Sequence, residues 1–136
     1  MDTKWIVRML EVAATVSSWS PCVSGKTHAC VLAIDGKYII STGVNGPNHK
    51  VNVPNCMSGE CGHQVHCNAI HAEVNAVINA ARVGAEITKC IAYCTKQPCE
   101  MCRSVLINAG IRKVYWAENN WRMEKFSGNC EILNED

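Results

Sequence analysis

Hydrophobic and polar residues along this chain follow two periods. Over residues 4–16 the apolar side chains recur every three to four positions, which predicts a helix with one buried face. The members of that face are Trp5, Ile6, Met9, Leu10, Ala13 and Val16. A second helix is predicted over 70–81, with Ile70, Val74, Val77, Ile78 and Ala81 on its buried face. A third is predicted over about 99–109.

Short apolar runs between the helices predict β-strands. Two of them, "HACVLAI" and "KYIISTG", meet at Asp35-Gly36, a dipeptide typical of a tight hairpin turn. Further strands are predicted at Cys90–Thr95 and Lys113–Ala117, with a weaker one at Cys130–Leu133. Strands and helices that alternate in this order imply crossover connections. We therefore expect one α/β domain over 1–136, with helices covering a sheet.

Charge and hydropathy exclude some classes of protein. The chain has 13 Lys plus Arg against 12 Asp plus Glu, a formal net charge of +1. A dedicated nucleic-acid binder usually has a strongly basic surface, and this near-neutral charge does not predict one. Arg8 and Glu11 interrupt the first helix, so it resembles neither a membrane span nor an export signal. We expect a soluble protein of the cytoplasm, with no nucleic-acid partner and no membrane partner.

Ten cysteines are many for a chain of this length. A secreted disulfide scaffold is one explanation. The patterned helices, the expected cytoplasmic location and the clustering of cysteines with histidines favour metal binding in a reducing compartment instead. Cys30, Cys90 and Cys94 lie in apolar strand-like runs, and we expect them to be ordinary core residues.

Three residues have the types and spacing of a catalytic zinc site. Cys99 and Cys102 fall three residues apart in the first turn of the third helix, with Pro98 at its first position. The positive end of a helix lowers thiol pKa values and favours thiolates. A Cys-x-x-Cys pair is also the pattern of a redox couple, but His71 at another helix start favours zinc. Two thiolates and one imidazole leave the fourth tetrahedral position for water.

Glu73 completes this candidate site. It follows His71 by two positions, so the two side chains cannot share a helical face. Beyond the tips of two helices, however, both can reach one ion, the imidazole as a ligand and the carboxylate as a proton acceptor for the metal's water. Each residue alone has an ordinary explanation: a histidine bonded to backbone, and an acid that compensates the helix dipole.

His-x-Glu followed by Pro-Cys-x-x-Cys resembles the motif of the zinc-dependent nucleobase deaminases. Four stretches narrow the resemblance to deoxycytidylate (dCMP) deaminases of bacterial and phage type: "STGVNGP", "VPNC", "HCNAIHAEVNA" and "NAGIRKVYWAE". It implies a three-layer α/β/α fold, with a mixed sheet of about five strands and helices on both faces. It also implies hydrolysis of dCMP to dUMP and ammonia, which feeds dTMP synthesis. The chain departs from the family at Val44, where a tyrosine is usual, at "VSGKTHA" and beyond residue 118.

The resemblance also assigns candidate residues to the substrate. The backbone N–H of Ala72 would bind the carbonyl oxygen of the base, and Asn45 would contact the sugar. Tyr115, rather than Trp121, would stack on the base, and Lys26 and His28 would contact the 5′-phosphate. Ordinary explanations compete with these roles: a turn for Asn45, the core for Tyr115 and solvent for Lys26.

A second, structural zinc ion is implied in the loop 44–68. Its ligands would be Cys22, Cys56 and His66, with Cys61, His63 or Cys67 as the fourth. Metal binding would offset the cost of ordering so long a loop; the alternative is free surface thiols.

Regulation is implied by resemblance as well. The family forms hexamers activated by dCTP and inhibited by dTTP, with Mg²⁺ on the triphosphate. The candidate effector residues are Gly43, Val44, Asn45, Gly46 and Arg82. Arg82 also has an ordinary explanation, because a cation stabilises the C-terminal end of a helix.

Two other functional classes explain part of the pattern. A tRNA or single-stranded nucleic-acid deaminase would account for the metal motif and "PCEMC", but it predicts a basic groove and salt-sensitive binding. A non-catalytic zinc-binding module would account for the cysteines, yet it gives Glu73 no role.

Overall fold

The computed structural model describes residues 3–22, 27–48, 69–117 and 129–135. Three helices and five strands occupy these described residues. The helices are α1 (Thr3–Ser17), α2 (Ala72–Arg82) and α3 (Glu100–Asn108). The strands are β1 (Ala29–Ile34), β2 (Tyr38–Val44), β3 (Cys90–Cys94), β4 (Lys113–Trp116) and β5 (Cys130–Ile132). Within these ranges, every helix is too short or too polar to cross a membrane.

The strands form one mixed sheet in the order β2-β1-β3-β4-β5. Only β3 and β4 are parallel, and the other neighbours pair antiparallel. The predicted hairpin joins β1 to β2. Asp35 (φ 54°) and Gly36 (φ 74°) both adopt the left-handed conformation that a type I′ turn requires, and the Lys37 N–H donates to the Ile34 carbonyl at 3.0 Å.

Helices cover both faces of the sheet, which confirms the predicted three-layer α/β/α fold. On one face α1 packs through residues such as Leu10 and Ala13 against β1, β3 and β4. On the other face Ala72 and Ala76 of α2, with Leu106 of α3, pack against the opposite side chains of the same strands. We call this second side the metal face. Cys30, Cys90 and Cys94 are fully buried there, as predicted.

The buried side of α2 differs from the prediction. Its buried residues are Ala72, Glu73, Ala76 and Ala80, whereas Ile78 is 43% exposed and Ala81 is exposed. The reason is a close approach to β2. A Cβ atom at Gly43 would lie 2.5 Å from the Ala72 carbonyl oxygen and 2.9 Å from the Ala76 Cα. Only small side chains fit between backbones this close, so alanines occupy the closest approach, while Val77 packs beside them and is only partly buried.

Side-chain hydrogen bonds fix α2 along β2. The Asn75 amide donates to the Val44 carbonyl at 2.8 Å and the Asn79 amide to the Thr42 carbonyl at 2.9 Å. The Ser41 hydroxyl donates to the Ala76 carbonyl at 2.7 Å. These bonds set the position of the helix along the strand, and with it the position of the N-terminal end of α2.

Candidate metal centre

Two helix N-termini meet at the metal face and bring three potential ligands together. The ligand atoms of His71, Cys99 and Cys102 all lie within 4.8 Å of one another. The His71 Nδ1 atom is 3.2 Å from the Cys102 sulfur and 3.6 Å from the Cys99 sulfur. The three residues that the sequence proposes as zinc ligands are therefore neighbours, although His71 and Cys99 are 28 residues apart.

The helix caps explain how these side chains converge. His71 is the N-cap of α2 (φ −65°, ψ 150°) and Cys99 the N-cap of α3 (φ −67°, ψ 169°). Neither side chain caps its own helix. Both helices thus begin later than predicted: His71 lies before the first turn, and Pro98 precedes the cap instead of occupying the first helical position. A residue in extended conformation before a helix directs its side chain past the N-terminus of that helix. The side chain of Glu73, in the first turn of α2, reaches the same region.

Glu73 is buried, with 4% of its surface exposed. Burial raises the pKa of its carboxyl group, while a backbone N–H, His71 and Lys96 lower the pKa. Its Oε2 atom is buried without a hydrogen-bond partner among the described residues. An unpaired buried polar atom is costly and calls for an explanation. A metal ion with a water molecule at the open position beside the three ligands would supply the missing partner.

The Cys102 thiol departs from the prediction of a lowered pKa. Burial, followed by the nearby Glu73 carboxylate, raises the pKa of the Cys102 thiol. In the protein without a metal ion, desolvation thus raises the pKa of the Cys102 thiol more than the N-terminus of α3 lowers it. A coordinated divalent cation reverses this balance because it deprotonates a thiol outright. Neither cysteine forms a disulfide bond and both sulfurs lie beside the His71 imidazole, so their arrangement fits a Cys₂His zinc site better than a redox pair.

Tyr115 does not lie on the metal face, so its predicted role in stacking on the base is wrong. It is buried in the α1 core and stacks on Tyr93, with ring centroids 5.6 Å apart. Successive side chains alternate along a strand. The neighbours Val114 and Trp116 therefore pack on the metal face.

Asn45 and His28 are joined across the ends of β2 and β1. The His28 N–H donates to the Asn45 Oδ1 atom at 2.8 Å, and the Asn45 N–H donates to the His28 carbonyl at 3.2 Å. The Ser20 hydroxyl donates to the Asn45 carbonyl at 2.7 Å. These bonds give Asn45 a structural role between the ends of β2 and β1. Its sugar contact, the phosphate contact of His28 and the role of the Ala72 N–H stay predictions.

Several further candidates are placed only in part. Cys22 is buried, whereas its proposed co-ligands lie outside the described residues; these are Cys56, Cys61, His63, His66 and Cys67. Lys26 and Trp121 lie outside them too. Of the effector candidates, Gly43 faces α2, Gly46 pairs with Ile70, and Arg82 is exposed in the last turn of α2. The second zinc ion and the effector site stay predictions.

Comparison with known proteins supports the interpretation of the metal site. Residues 3–118 match the family described as "Cytidine and deoxycytidylate deaminase zinc-binding region". Deoxycytidylate deaminase of Enterobacteria phage T2 is 32% identical, and the match covers 81% of this chain and 78% of that protein. Deoxycytidylate deaminase of Saccharomyces cerevisiae is 30% identical over 93% of this chain, which spans only 41% of the yeast protein.

Solved structures share the fold. The dCMP deaminase of cyanophage S-TIM5, in complex with dCMP and dUMP, superposes with a TM-score of 0.73 at 23% identity. That match covers 85% of this chain and 82% of the phage protein. Guanine deaminase from Bacillus subtilis gives a TM-score of 0.55 at 27% identity, over 82% of this chain and 62% of that enzyme.

Proposed function

Because the chain belongs to the family of the cytidine and deoxycytidylate deaminase zinc-binding region, we propose that it hydrolyses dCMP to dUMP and ammonia. The observation that carries this proposal is the unpartnered, buried Oε2 atom of Glu73 beside the His71, Cys99 and Cys102 cluster. A purely structural zinc site would need a fourth protein ligand and would leave this carboxylate without a role.

The chain's own residues supply the proton transfers. His71, Cys99 and Cys102 would hold the zinc ion, which when bound lowers the pKa of a water molecule to about 7 and so provides a nucleophile at neutral pH. Glu73 accepts one proton of that water and passes it to the ring nitrogen, and it then carries the second proton of the same water to the departing amine. One carboxyl group thus acts as base and then as acid. Water adds its oxygen to the carbon that loses ammonia, so dCMP and water yield dUMP and ammonia.

The choice of dCMP rests on the relatives and on the charge of the chain. The phage T2 deoxycytidylate deaminase matches most of both sequences. The net charge of +1 does not suggest the salt-dependent phosphate binding that a nucleic-acid deaminase uses. Within this proposal Ala72 contacts the base, Asn45 the sugar, and Lys26 and His28 the phosphate. The product dUMP would feed dTMP synthesis.

Two finer parts of the proposal rest on resemblance to the family. One is a second zinc ion at Cys22, Cys56 and His66, with Cys61 as the fourth ligand. The other is a cytoplasmic hexamer that dCTP activates and dTTP inhibits, with Mg²⁺ on the effector. Measuring ammonia release from dCMP with and without each triphosphate tests the regulation, and no response to either would contradict it.

Replacing Glu73 by glutamine tests the catalytic proposal. The amide keeps the size of the side chain but cannot accept the proton, so we expect zinc content to stay unchanged and turnover of dCMP to fall by about 10²-fold or more. The exposed Glu86, replaced by glutamine, is the matched control and should keep full activity. Zinc is measured by elemental analysis and turnover by ammonia release.

The outcomes separate the competing functions. Loss of zinc from Glu73→Gln would make the carboxylate a ligand and contradict the mechanism. Substrate choice is tested by assaying dCMP beside deoxycytidine, CMP and a tRNA stem-loop. Deamination of the stem-loop without activity on dCMP would contradict the proposed substrate.

A further inference from the structure

The N-terminal end of α3 carries Cys99 and Cys102, but the helix has a narrow contact with the rest of the protein. Of its nine residues only Cys102 and Leu106 are buried, and Cys102 is itself a proposed zinc ligand. A helix this short is marginally stable in water by itself, so its position depends on the contacts that hold it. Contacts away from its buried side therefore matter for the geometry of the metal site.

Strand β5 lies beside α3 on the metal face. Val114 of β4 pairs with Glu131 of β5, and directly paired residues share a face of the sheet. Because Val114 belongs to the core of the metal face, Glu131 lies on that face too. Two residues further along the chain, Leu133 packs against the same core. The match to the deaminase family covers residues 3–118 and does not include this segment.

Glu131 contacts α3 next to a proposed ligand. Its Oε2 atom accepts a hydrogen bond from the Nε atom of Arg103 at 2.6 Å and lies 2.5 Å from the Nη2 atom of the same guanidinium group. Arg103 follows Cys102 directly, and its backbone N–H donates to the Cys99 carbonyl at 2.8 Å. The side chains of the pair are 45% and 32% exposed, and an exposed ion pair is typically weak. We therefore expect this pair to restrain the first turns of α3 only weakly.

Asn134 holds the other end of α3. Its side-chain amide donates to the Ile107 carbonyl at 3.0 Å and to the Ile111 carbonyl at 2.8 Å. Since the last carbonyls of a helix lack partners within the helix, these bonds cap α3 and tie it to the connection that leads into β4. The backbone N–H groups of Asn134 and Leu133 both donate to the Arg112 carbonyl, at 3.0 and 2.9 Å. The sheet thus holds the amide that caps the helix.

We infer that Asn134 and Glu131 are positioning residues for the two cysteine ligands. Both act through α3, and neither is a ligand itself. The other helix that meets at the site, α2, is fixed to β2 by two side-chain amides. Asn134 does the same for α3 from the segment that follows β5, so each half of the ligand set is fixed to the sheet separately. The inference rests on the zinc site of the proposed function, but it does not depend on which substrate is deaminated.

Replacing Asn134 by alanine removes both hydrogen bonds at the end of α3. The helix can then shift against the sheet, so we expect a chelator to remove zinc about 10-fold faster, at the lower end of the effect of residues that orient metal ligands. The zinc ion at this site is identified as the phase of release that Cys102→Ser lacks. Asn134→Gln keeps the amide and should restore part of the slow release. Asn134→Asp loses the donors but keeps the size, and it serves where circular dichroism shows that the alanine variant does not fold.

A double-mutant cycle tests the ion pair. Arg103→Met and Glu131→Gln should each speed zinc release about twofold to fivefold, the size expected for an exposed pair. The double variant should be no faster than either single variant, because both remove the same contact. Cobalt(II) bound in place of zinc provides a second measurement, since its visible absorption bands depend on ligand geometry. These bands should shift in Asn134→Ala.

Ser18→Ala is the matched control. The Ser18 hydroxyl donates to the Thr15 carbonyl at 2.7 Å, so it also caps the end of a helix, but this helix is α1 on the opposite face of the sheet. Its loss should lower Tm, as the loss of a hydrogen bond at a helix end does. Zinc release and the cobalt bands should stay at their wild-type values.

The outcomes distinguish the inference from the function on which it rests. Zinc release from Asn134→Ala at the wild-type rate, with unchanged cobalt bands, would overturn the inference. Equally fast release from Ser18→Ala would overturn it as well, because the effect would then follow general stability. A wild-type protein that holds zinc but does not deaminate dCMP would contradict the proposed function alone, and the metal measurements would still test the inference. A wild-type protein without zinc would contradict both.

Discussion

Replacing Gly43 by alanine would place one methyl group between β2 and the first turns of α2. The new Cβ atom would lie 2.5 Å from the Ala72 carbonyl oxygen and 2.9 Å from the Ala76 Cα, whereas ordinary van der Waals contact begins at 3.4 Å. Both neighbours are backbone atoms of a helix, which cannot rotate aside as the end of a side chain can. We therefore expect α2 to move away from the sheet by about 1 Å, the distance needed to restore ordinary contact.

This shift of α2 should lower both the stability of the protein and its activity. Overpacking of this kind destabilises a protein by about 1–3 kcal/mol, which urea unfolding measures directly. The same shift moves His71 and Glu73 relative to the cysteines of α3, and a misplacement of about 1 Å typically costs about 100-fold in rate. We expect kcat/KM for dCMP to fall by that order, with weaker retention of zinc during dialysis.

Gly84 provides the control for the loss of a glycine. It has a positive φ of 67°, and a Cβ atom there would meet no neighbour within 4 Å among the described residues. Gly84→Ala should therefore cost about 1–2 kcal/mol through the left-handed backbone alone. Zinc content and kcat/KM should then stay at wild-type values. If Gly43→Ala kept wild-type activity and stability, the close approach of α2 to β2 would not control the metal site, and this reasoning would be wrong.

Two further predictions concern the faces of the sheet and the ligands. Tyr115→Phe removes a hydroxyl that bonds Cys130 in the α1 core, so we expect about 1 kcal/mol less stability in urea unfolding and kcat/KM for dCMP within about twofold of wild type. A 100-fold loss would place the ring at the substrate after all. Cys102→Ser should remove the zinc ion held with His71 and Cys99, so we expect zinc content to fall by one equivalent in elemental analysis and the effect of chelators on Tm to become smaller. The exposed Cys130, changed to serine, should keep both, and a zinc-replete Cys102→Ser would refute the ligand set.

Local signals in the sequence are enough for much of the fold. The Asp35-Gly36 turn and the apolar runs on either side predict the hairpin because the turn geometry depends on two adjacent residues. The buried face of α2 cannot be found this way. Periodicity predicts that the most apolar residues are buried. In α2 the space between helix and sheet determines which residues are buried, and this space depends on Gly43, which is distant in sequence.

The residues of the candidate site also include some that local sequence predicts and some that it does not. His71, Glu73 and the cysteine pair belong to short motifs at two helix starts, so their types and spacing suffice to propose them. The role predicted for Tyr115 is wrong because both faces of the sheet are covered, and an apolar strand does not indicate which face holds the metal.

The hydrogen bonds from Asn75 and Asn79 of α2 to β2 also cover part of the edge of the sheet. Among the described strands β2 pairs only with β1, and its Thr42 and Val44 carbonyls point outward because Asn45 next to them bonds inward to β1. An exposed row of such acceptors invites a strand from another molecule to add on. Asn75 and Asn79 already occupy both. The same two amides that align the catalytic helix therefore also guard the protein against intermolecular strand addition at this end of β2.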